Sequence, residues 1–470
     1  MLNRIFRLSD HATSPRTEIL AGVTTFLTMA YIIFVQPAVL SGVMLDSPTG
    51  MDFGAVTAAT CLAAALATLI MGLYARYPVA LAPGMGENFV FVSTAIPVAA
   101  ASGAGEPWAV ALGATFIAGV MFMGLSLLGV RERVIDAVSP SVKHGIAVGI
   151  GLFIAFLGLR NGQLIVADPG TFVKLNPAVV SPDILVFLVG FTVAVVLSAR
   201  RVKGSILWGI LASLFAALAI KSVLPLLPQS ITGSAAVEGS LLLSSFKPTL
   251  EIVSAPPSIG PTLLRMDLAN AVSAAMIPVI LIFLFMDVFD TTGTLIGVGE
   301  QAGLLENGKL PRARQAMLAD AVGTVAGAAL GSSTVTSFIE STAGVEQGGR
   351  TGLTAVTVAV LFVIALFFYP MIAMVGSYPP ITAPALVLVG ALMARNVTKI
   401  EWSDPAEAVP AFLTMIGIPL TNSVADGLAL GLVSYPLIKA LSGRARDVSW
   451  TMWALAVMLV LYFGLVRVRV

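Results

Sequence analysis

The sequence predicts an all-α integral membrane protein with fourteen membrane-spanning segments. Three observations predict it. The chain of 470 residues is 57% hydrophobic and only 11% charged, with a mean hydropathy of +0.96. Soluble domains carry roughly 25% charged residues, and no soluble core could hide this much apolar surface. Apolar runs of helix length recur along the chain, and basic residues gather in alternate connections between them. The formal net charge of +1 argues against nucleic acid as a partner. The single cysteine, Cys61, lies in an apolar run and gives no information about redox compartment.

In chain order, apolar runs lie near 17–40, 54–75, 108–129, 144–159, 183–199, 205–227, 275–298, 312–330, 352–375, 381–397, 407–422, 424–441 and 450–467. The first follows Arg4, Arg7 and Arg16 and has no small-residue cleavage site, so it reads as an uncleaved helix. Two further stretches are short and broken. Residues 79–95 contain Ala82-Pro83-Gly84-Met85-Gly86-Glu87-Asn88, and residues 331–345 open Gly331-Ser332-Ser333-Thr334-Val335-Thr336. Counting both and setting 450–467 aside gives fourteen segments. With the N-terminus inside, the inner connections hold Arg76, Arg131, Arg133, Lys143, Arg200, Arg201, Lys203, Lys309, Arg312, Arg314, Arg350, Arg395, Lys399, Lys439, Arg444 and Arg446. The outer ones hold mainly Arg160, Lys174, Lys247 and Arg265. The asymmetry orients the chain with its N-terminus cytoplasmic. Residues 450–467 read as a helix on or in the inner leaflet, within a tail of 442–470.

Residues 1–227 and 263–441 follow one plan, with a broken, glycine-containing segment third in each. Ser139-Pro140 opens the fifth segment and Tyr378-Pro379-Pro380 its counterpart. An odd number of spans per repeat inverts the second relative to the first, and such repeats place a substrate site near the midplane. Residues 228–262, rich in Pro, Ser and Gly, read as an outer connecting loop, and 263–274 as an interfacial helix.

Three acids stand where lipid depth is expected: Asp287, Asp290 and Glu340. A charge there costs at least ~2.5–3.5 kcal/mol, so such residues are functional candidates by default. Asp287 and Asp290 are three apart and share a helix face, extended by Thr291 and Thr294. Glu340 follows the second broken segment, where helix ends leave backbone groups unpaired. Asn88, in the first, offers an amide with donors and an acceptor, and Glu87 adds an acid. Carboxylates, an amide and exposed backbone suit a flat heterocycle with alternating donors and acceptors. Burial favours a carboxyl's neutral form, so the same acids suit a coupling proton. Phe89, Phe91, Phe285, Phe289 and Phe338 are close enough in sequence to stack on a ring.

Each has a plainer reading. Asp290 also suits a structural acid, Asn88 a helix cap, Glu87 a wet vestibule, and each Phe simple packing. Asp320 reads as a structural tie, Glu346 and Arg350 as a loop ion pair, and Glu300, Glu306 and Lys309 as a solvated inner loop. No metal site or cofactor is expected.

The chain resembles the AzgA-like purine permeases of the nucleobase–ascorbate transporter superfamily. The stretches that carry the resemblance are residues 17–31 (Thr17-Glu18-Ile19-Leu20-Ala21-Gly22 onward to Met29-Ala30-Tyr31), Pro83-Gly84-Met85-Gly86, Phe285-Met286-Asp287-Val288-Phe289-Asp290-Thr291, Thr334-Val335-Thr336-Ser337-Phe338-Ile339-Glu340-Ser341 with Ala343-Gly344-Val345, and Gly348-Gly349-Arg350-Thr351-Gly352-Leu353. The resemblance implies a seven-plus-seven inverted repeat with a core domain (17–130 and 263–375) and a gate domain (140–227 and 378–441). It implies short extended stretches in segments three and ten, a base bound between them, and a homodimer. It also implies a proton-coupled importer of adenine, guanine and hypoxanthine in the plasma membrane, working by an elevator-like mechanism. By motif position Asp287 and Glu340 grip the base, Asn88 supports it, and Asp290 serves the site's integrity or transport. Relatives usually read Gly-Met-Gly-Leu-Asn where this chain has Gly86-Glu87-Asn88-Phe89, so Glu87 bears on base preference or adds a proton site. Thr291 stands where the uracil branch has a histidine, leaving coupling to carboxylates. Alternatives are xanthine, uracil or a small organic anion as cargo, or an intramembrane aspartyl enzyme. The enzyme fits poorly, because Asp287 and Asp290 share one helix. An anion is disfavoured by the lack of a nearby cation, Arg350 being the nearest in sequence.

Overall fold

The computed structural model describes residues 2–45, 47–128, 138–305 and 310–465. Arg131, Arg133, Glu306, Lys309 and Arg467 lie outside the described residues. The first half of the chain runs α1 (Pro15–Met29), α2 (Ile32–Leu40), α3 (Phe53–Ile70), β1 (Leu81–Pro83), α4 (Met85–Val90, helical onward to Ala101), α5 (Pro107–Leu128), α6 (Pro140–Asn161), a β2–β3 hairpin (Ile165–Asp168 and Phe172–Leu175), α7 (Pro182–Ala199) and α8 (Ser205–Val223). The second half runs α9 (Ile277–Gln301), α10 (Ala313–Leu330), β4 (Val335–Ser337), α11 (Ser341–Glu346), α12 (Gly352–Ala365, continuing to Gly376), α13 (Ala383–Ala394), α14 (Pro405–Thr421) and α15 (Val424–Leu441), and α16 (Trp450–Leu465) follows it.

The helix starts follow local chemistry. Ser14, Asp52, Ser139 and Ser181 each cap the backbone N–H three residues on, and proline occupies the first turn of α1, α6 and α7. Nine helices among the described residues are long and apolar enough to cross a membrane. Of the predicted segments, the two broken ones and α10, α13 and α14 are too short or too polar to join that group. The 228–262 stretch is a loop with single helical turns, such as Gln229–Thr232 and Leu241–Ser244. The interfacial helix expected over 263–274 is reduced to Leu268–Ala271, capped by Asp267. Residues 260 to 264 instead run as turns, with Leu264 N–H donating to Ala329 O. Of the 450–467 stretch, the described residues form the helix α16, packed on α15 and touching α9.

Two packing groups emerge. In one, α1, α3, α5, α10 and α12 pack on each other, with α9 against α5. In the other, α6 packs on α13 and α14, α14 on α15, and α7 on α8. Glycine permits the closest of these contacts, because a Cβ at Gly145 would lie 2.7 Å from Ala411 O and one at Gly158 3.0 Å from Ala383 O. Glu18, part of the opening motif, is fully buried. Its carboxylate accepts from Arg350 N (2.9 Å), Thr351 N (3.2 Å) and Thr354 Oγ1 (2.6 Å), satisfying the start of α12. Glu346 does not pair with Arg350 as expected. It pairs with Lys203 and accepts from Gln301 at 2.9 Å, while Arg350 donates to Val345 O and Gly349 O. The chain folds Arg350 back over α11, so the nearest cation to Glu346 in sequence is not the nearest in space.

Candidate substrate site

The two broken segments meet. β1 and β4 pair antiparallel, Leu81 with Ser337, Ala82 with Thr336 and Pro83 with Val335. Gly84 N–H donates to Thr334 O at 3.0 Å and Phe338 N–H to Ala80 O at 2.9 Å, extending the ladder at both ends. The pairing explains why two apolar segments break at membrane depth: each strand satisfies the other's backbone groups. Helices α4 and α11 then leave the strand ends.

Around this pair the acids fall into two layers. The deeper one is sealed. Asp287 is 1% exposed and Asp320 fully buried, and their carboxyl groups lie within hydrogen-bonding reach of each other. Thr324 Oγ1 stands 2.9 Å from Asp287 Oδ2 and accepts from Val335 N at 3.1 Å, tying the acid to β4. Thr291 and Ser337 both donate to Asp320 Oδ2, the latter at 3.2 Å. Oδ1 of each aspartate receives no hydrogen bond from a hydroxyl, amide or cation among the described residues. Thr291 is therefore a buried link between α9, α10 and β4.

The upper layer is open. Asp290 is exposed and Glu340 half-buried. Thr336 Oγ1 lies 3.3 Å from Asp290 Oδ2, and Tyr31 Oη donates to Glu340 Oε1 at 2.8 Å. Glu87, 2% exposed at the start of α4, stands close to Asp287, Asp290 and Asp320. A Cβ at Gly84 would collide with its carboxylate, so the glycine makes room for Glu87 to fold back over its own helix.

Asn88 points elsewhere. Ser333 donates to its Oδ1, and Gln36 Nε2 donates to Ser333 Oγ (3.0 Å) and Ser332 Oγ (3.2 Å). This buried chain ties the first span to both broken segments and leaves Asn88 Nδ2 without an acceptor among the described residues. Phe89 is fully buried and packs edge-on against Phe153 of α6, ring centres 5.5 Å apart, so it presents no free face. Phe338 is also buried. Phe285 and Phe289, by contrast, are half-buried and stacked at 5.8 Å. Lys143 of α6 stands over the Phe289 ring at 5.0 Å. A cation of α6 therefore reaches the neighbour of Asp290 in sequence, brought there by the fold rather than by sequence proximity.

The fold gathers Asp287, Asp290, Thr291 and Glu340 around the strand pair, together with four residues that the sequence did not single out. Tyr31, Gln36, Thr324 and Lys143 come from other elements. The signals available were a buried-type polar residue, Gln36, in an apolar run, and Asp320 and Thr324 four apart on one helix. The layout can hold a proton in its sealed layer, and its open acids can accept from the N–H groups of a small polar molecule. Among the described residues no group of His, Cys, Asp and Glu is arranged to hold a metal ion.

A family model described as the permease family matches residues 16–430. The chain is 41% identical to the guanine/hypoxanthine permease PbuG of Bacillus subtilis, over 98% of this chain and 99% of that one. It is 40% identical to the adenine permease AdeP of Escherichia coli, over 96% and 93%. Among solved structures, the transmembrane domain of the cyanobacterial bicarbonate transporter BicA has the same fold. Its TM-score is 0.60 at 14% identity, covering 88% of this chain and 97% of that one.

Proposed function

This chain belongs to the permease family, and from that membership we propose that it imports purine nucleobases together with protons across a plasma membrane, its N-terminus cytoplasmic. Guanine, hypoxanthine and adenine are the candidate bases, because relatives that match nearly the whole chain carry those names. The observation that carries the reading is the β1–β4 pair with two open carboxylates, Asp290 and Glu340, beside it. A carboxylate accepts from ring N–H and exocyclic amine groups, and the Phe285–Phe289 pair offers an aromatic wall.

In this reading the acids divide their work. Glu340 and Asp290 face the base. Asp287, expected from its motif position to grip the base, lies one layer below with Asp320. Two carboxylates in contact repel when both are ionised, and one shared proton relieves this. A proton taken there is the coupling proton, with Glu87 between the layers as its relay. Thr291 and Thr324 hold the pair in place. Carriage then moves the first packing group, residues 17–130 and 263–375, past the second, 140–227 and 378–441, in an elevator-like stroke within a homodimer. Neutralising the acids lowers the cost of carrying them across apolar surroundings.

Purified protein tests the reading by thermal stabilisation with a panel of bases, since a ligand that binds only the folded state stabilises in proportion to its affinity. Hypoxanthine, guanine or adenine should raise the melting temperature; a panel with no purine response contradicts it. A second reading, xanthine as cargo, is favoured by Lys143 beside Phe289, and the same panel separates the two.

A further inference from the structure

The Glu340 carboxyl has one protein partner whose contact is direct and short. Tyr31 Oη donates to Oε1 at 2.8 Å. Tyr31 sits where α1 ends and α2 begins, outside both helices, with its side chain only 2% exposed. Thr28, one turn earlier, donates to Thr25 O at 2.7 Å and reaches the Glu340 backbone carbonyl at 3.4 Å. The break in the first span thus lies against the Glu340 peptide and its side chain at once. Glu340 itself stands at the N-terminal edge of α11, where its side chain makes no capping hydrogen bond to that helix.

We propose that Tyr31 is a positioning residue for substrate recognition: its hydroxyl occupies Oε1 of Glu340, so that Oε2 alone is presented to an N–H group of the bound base. A tyrosine hydroxyl donates a single proton. Given to Oε1, it fixes the rotation of the carboxyl plane. A carboxylate held in this way accepts from a ring N–H along one direction, whereas a free glutamate must lose rotamer freedom on binding. The ligand class is a flat heterocycle with an N–H donor on the edge facing β4. The inference rests on the reading that Glu340 faces the base.

The test uses the full-length protein in a strain lacking its own nucleobase permeases, with uptake of labelled hypoxanthine normalised to membrane abundance. Tyr31→Phe keeps the ring and removes only the hydroxyl. It should raise KM about tenfold or more, the scale of one hydrogen bond to a charged group, with maximal rate within about twofold. In a Glu340→Gln background the same change should alter hypoxanthine affinity by less than about twofold, because the two groups act as a unit. Tyr31→His, which retains a donor, should recover part of the loss and stands in if Tyr31→Phe does not reach the membrane. The proposal is overturned if Tyr31→Phe leaves KM unchanged, if it lowers maximal rate at constant KM, or if its effect is the same with and without Glu340. Normal hypoxanthine affinity in Glu340→Gln alone would instead overturn the underlying reading of Glu340.

Discussion

Thr324 Oγ1 lies 2.9 Å from Asp287 Oδ2 while accepting the Val335 N–H at 3.1 Å. One hydroxyl thus joins the sealed acid pair to the strand that lines the substrate site. A change at the acids reaches β4 through this side chain on Asp287 and through Thr291 and Ser337 on Asp320, and passes from β4 to β1 through the ladder.

Thr324→Val keeps the shape and removes the hydroxyl. It strips a partner from Asp287 and leaves the Val335 N–H unsatisfied, which costs about 1–3 kcal/mol for each buried group left unpaired. Purified variant protein should melt measurably lower than the parent, and uptake should fall further than folded protein does. Equal melting temperatures and equal uptake would count against the link.

Lys439 is 2% exposed, with its Nζ 2.8 Å from Glu407 Oε1 and 3.5 Å from Asp404 Oδ2. Tyr435 donates to the same Glu407 oxygen at 3.2 Å. Lys439→Met strands Glu407, while Asp404 keeps Arg444 at 2.7 Å, and breaking a buried pair costs about 3–5 kcal/mol. Adding Glu407→Leu should recover much of the loss, since an apolar pair is tolerated where a lone charge is not. Thermal unfolding in detergent reads both variants.

Contact between α6 and α14 depends on a missing side chain. Gly145→Ala places a Cβ 2.7 Å from Ala411 O, backbone that cannot give way. Overpacking of this kind costs about 1–3 kcal/mol. Melting temperature should drop, and hypoxanthine uptake should fall with it in proportion to folded protein, because the clash is with α14 and not with the acids.

Glu346 pairs with Lys203, and that hydrogen bond holds its carboxyl below the usual glutamate range. A depressed carboxyl adds stability above its unfolded value and loses it as pH falls through the folded one. The pair is half-exposed, so Lys203→Ala should lower stability by under about 1 kcal/mol at neutral pH. The difference between parent and variant should vanish on acidification below the glutamate range. A difference that persists there would show that Lys203 acts by something other than this charge.

Much of this was legible in the sequence. Composition and span length set the class, and Pro83-Gly84 and Gly331-Ser332 marked both breaks, because glycine and proline interrupt apolar helices. What sequence spacing does not carry is the partner of each broken segment. The Leu81–Ser337 register joins residues more than 250 positions apart. Nor does it carry depth on a shared face. Asp287 and Asp290 are three apart and read alike, yet α10 covers one and leaves the other open. Glu346 chose Lys203 over Arg350 for the same reason: the nearest charge along the chain is not the nearest in the fold. Phe89 was read as a ring platform, and the close approach of α6 turned it into packing against Phe153.

The most direct test of proton-coupled purine import is accumulation of labelled hypoxanthine by the purified protein in liposomes with an alkaline interior. The account predicts accumulation above equilibrium, collapse on adding a protonophore, and loss in Glu340→Gln. Accumulation that is indifferent to the proton gradient, or a Glu340→Gln protein that accumulates as the parent does, would contradict it.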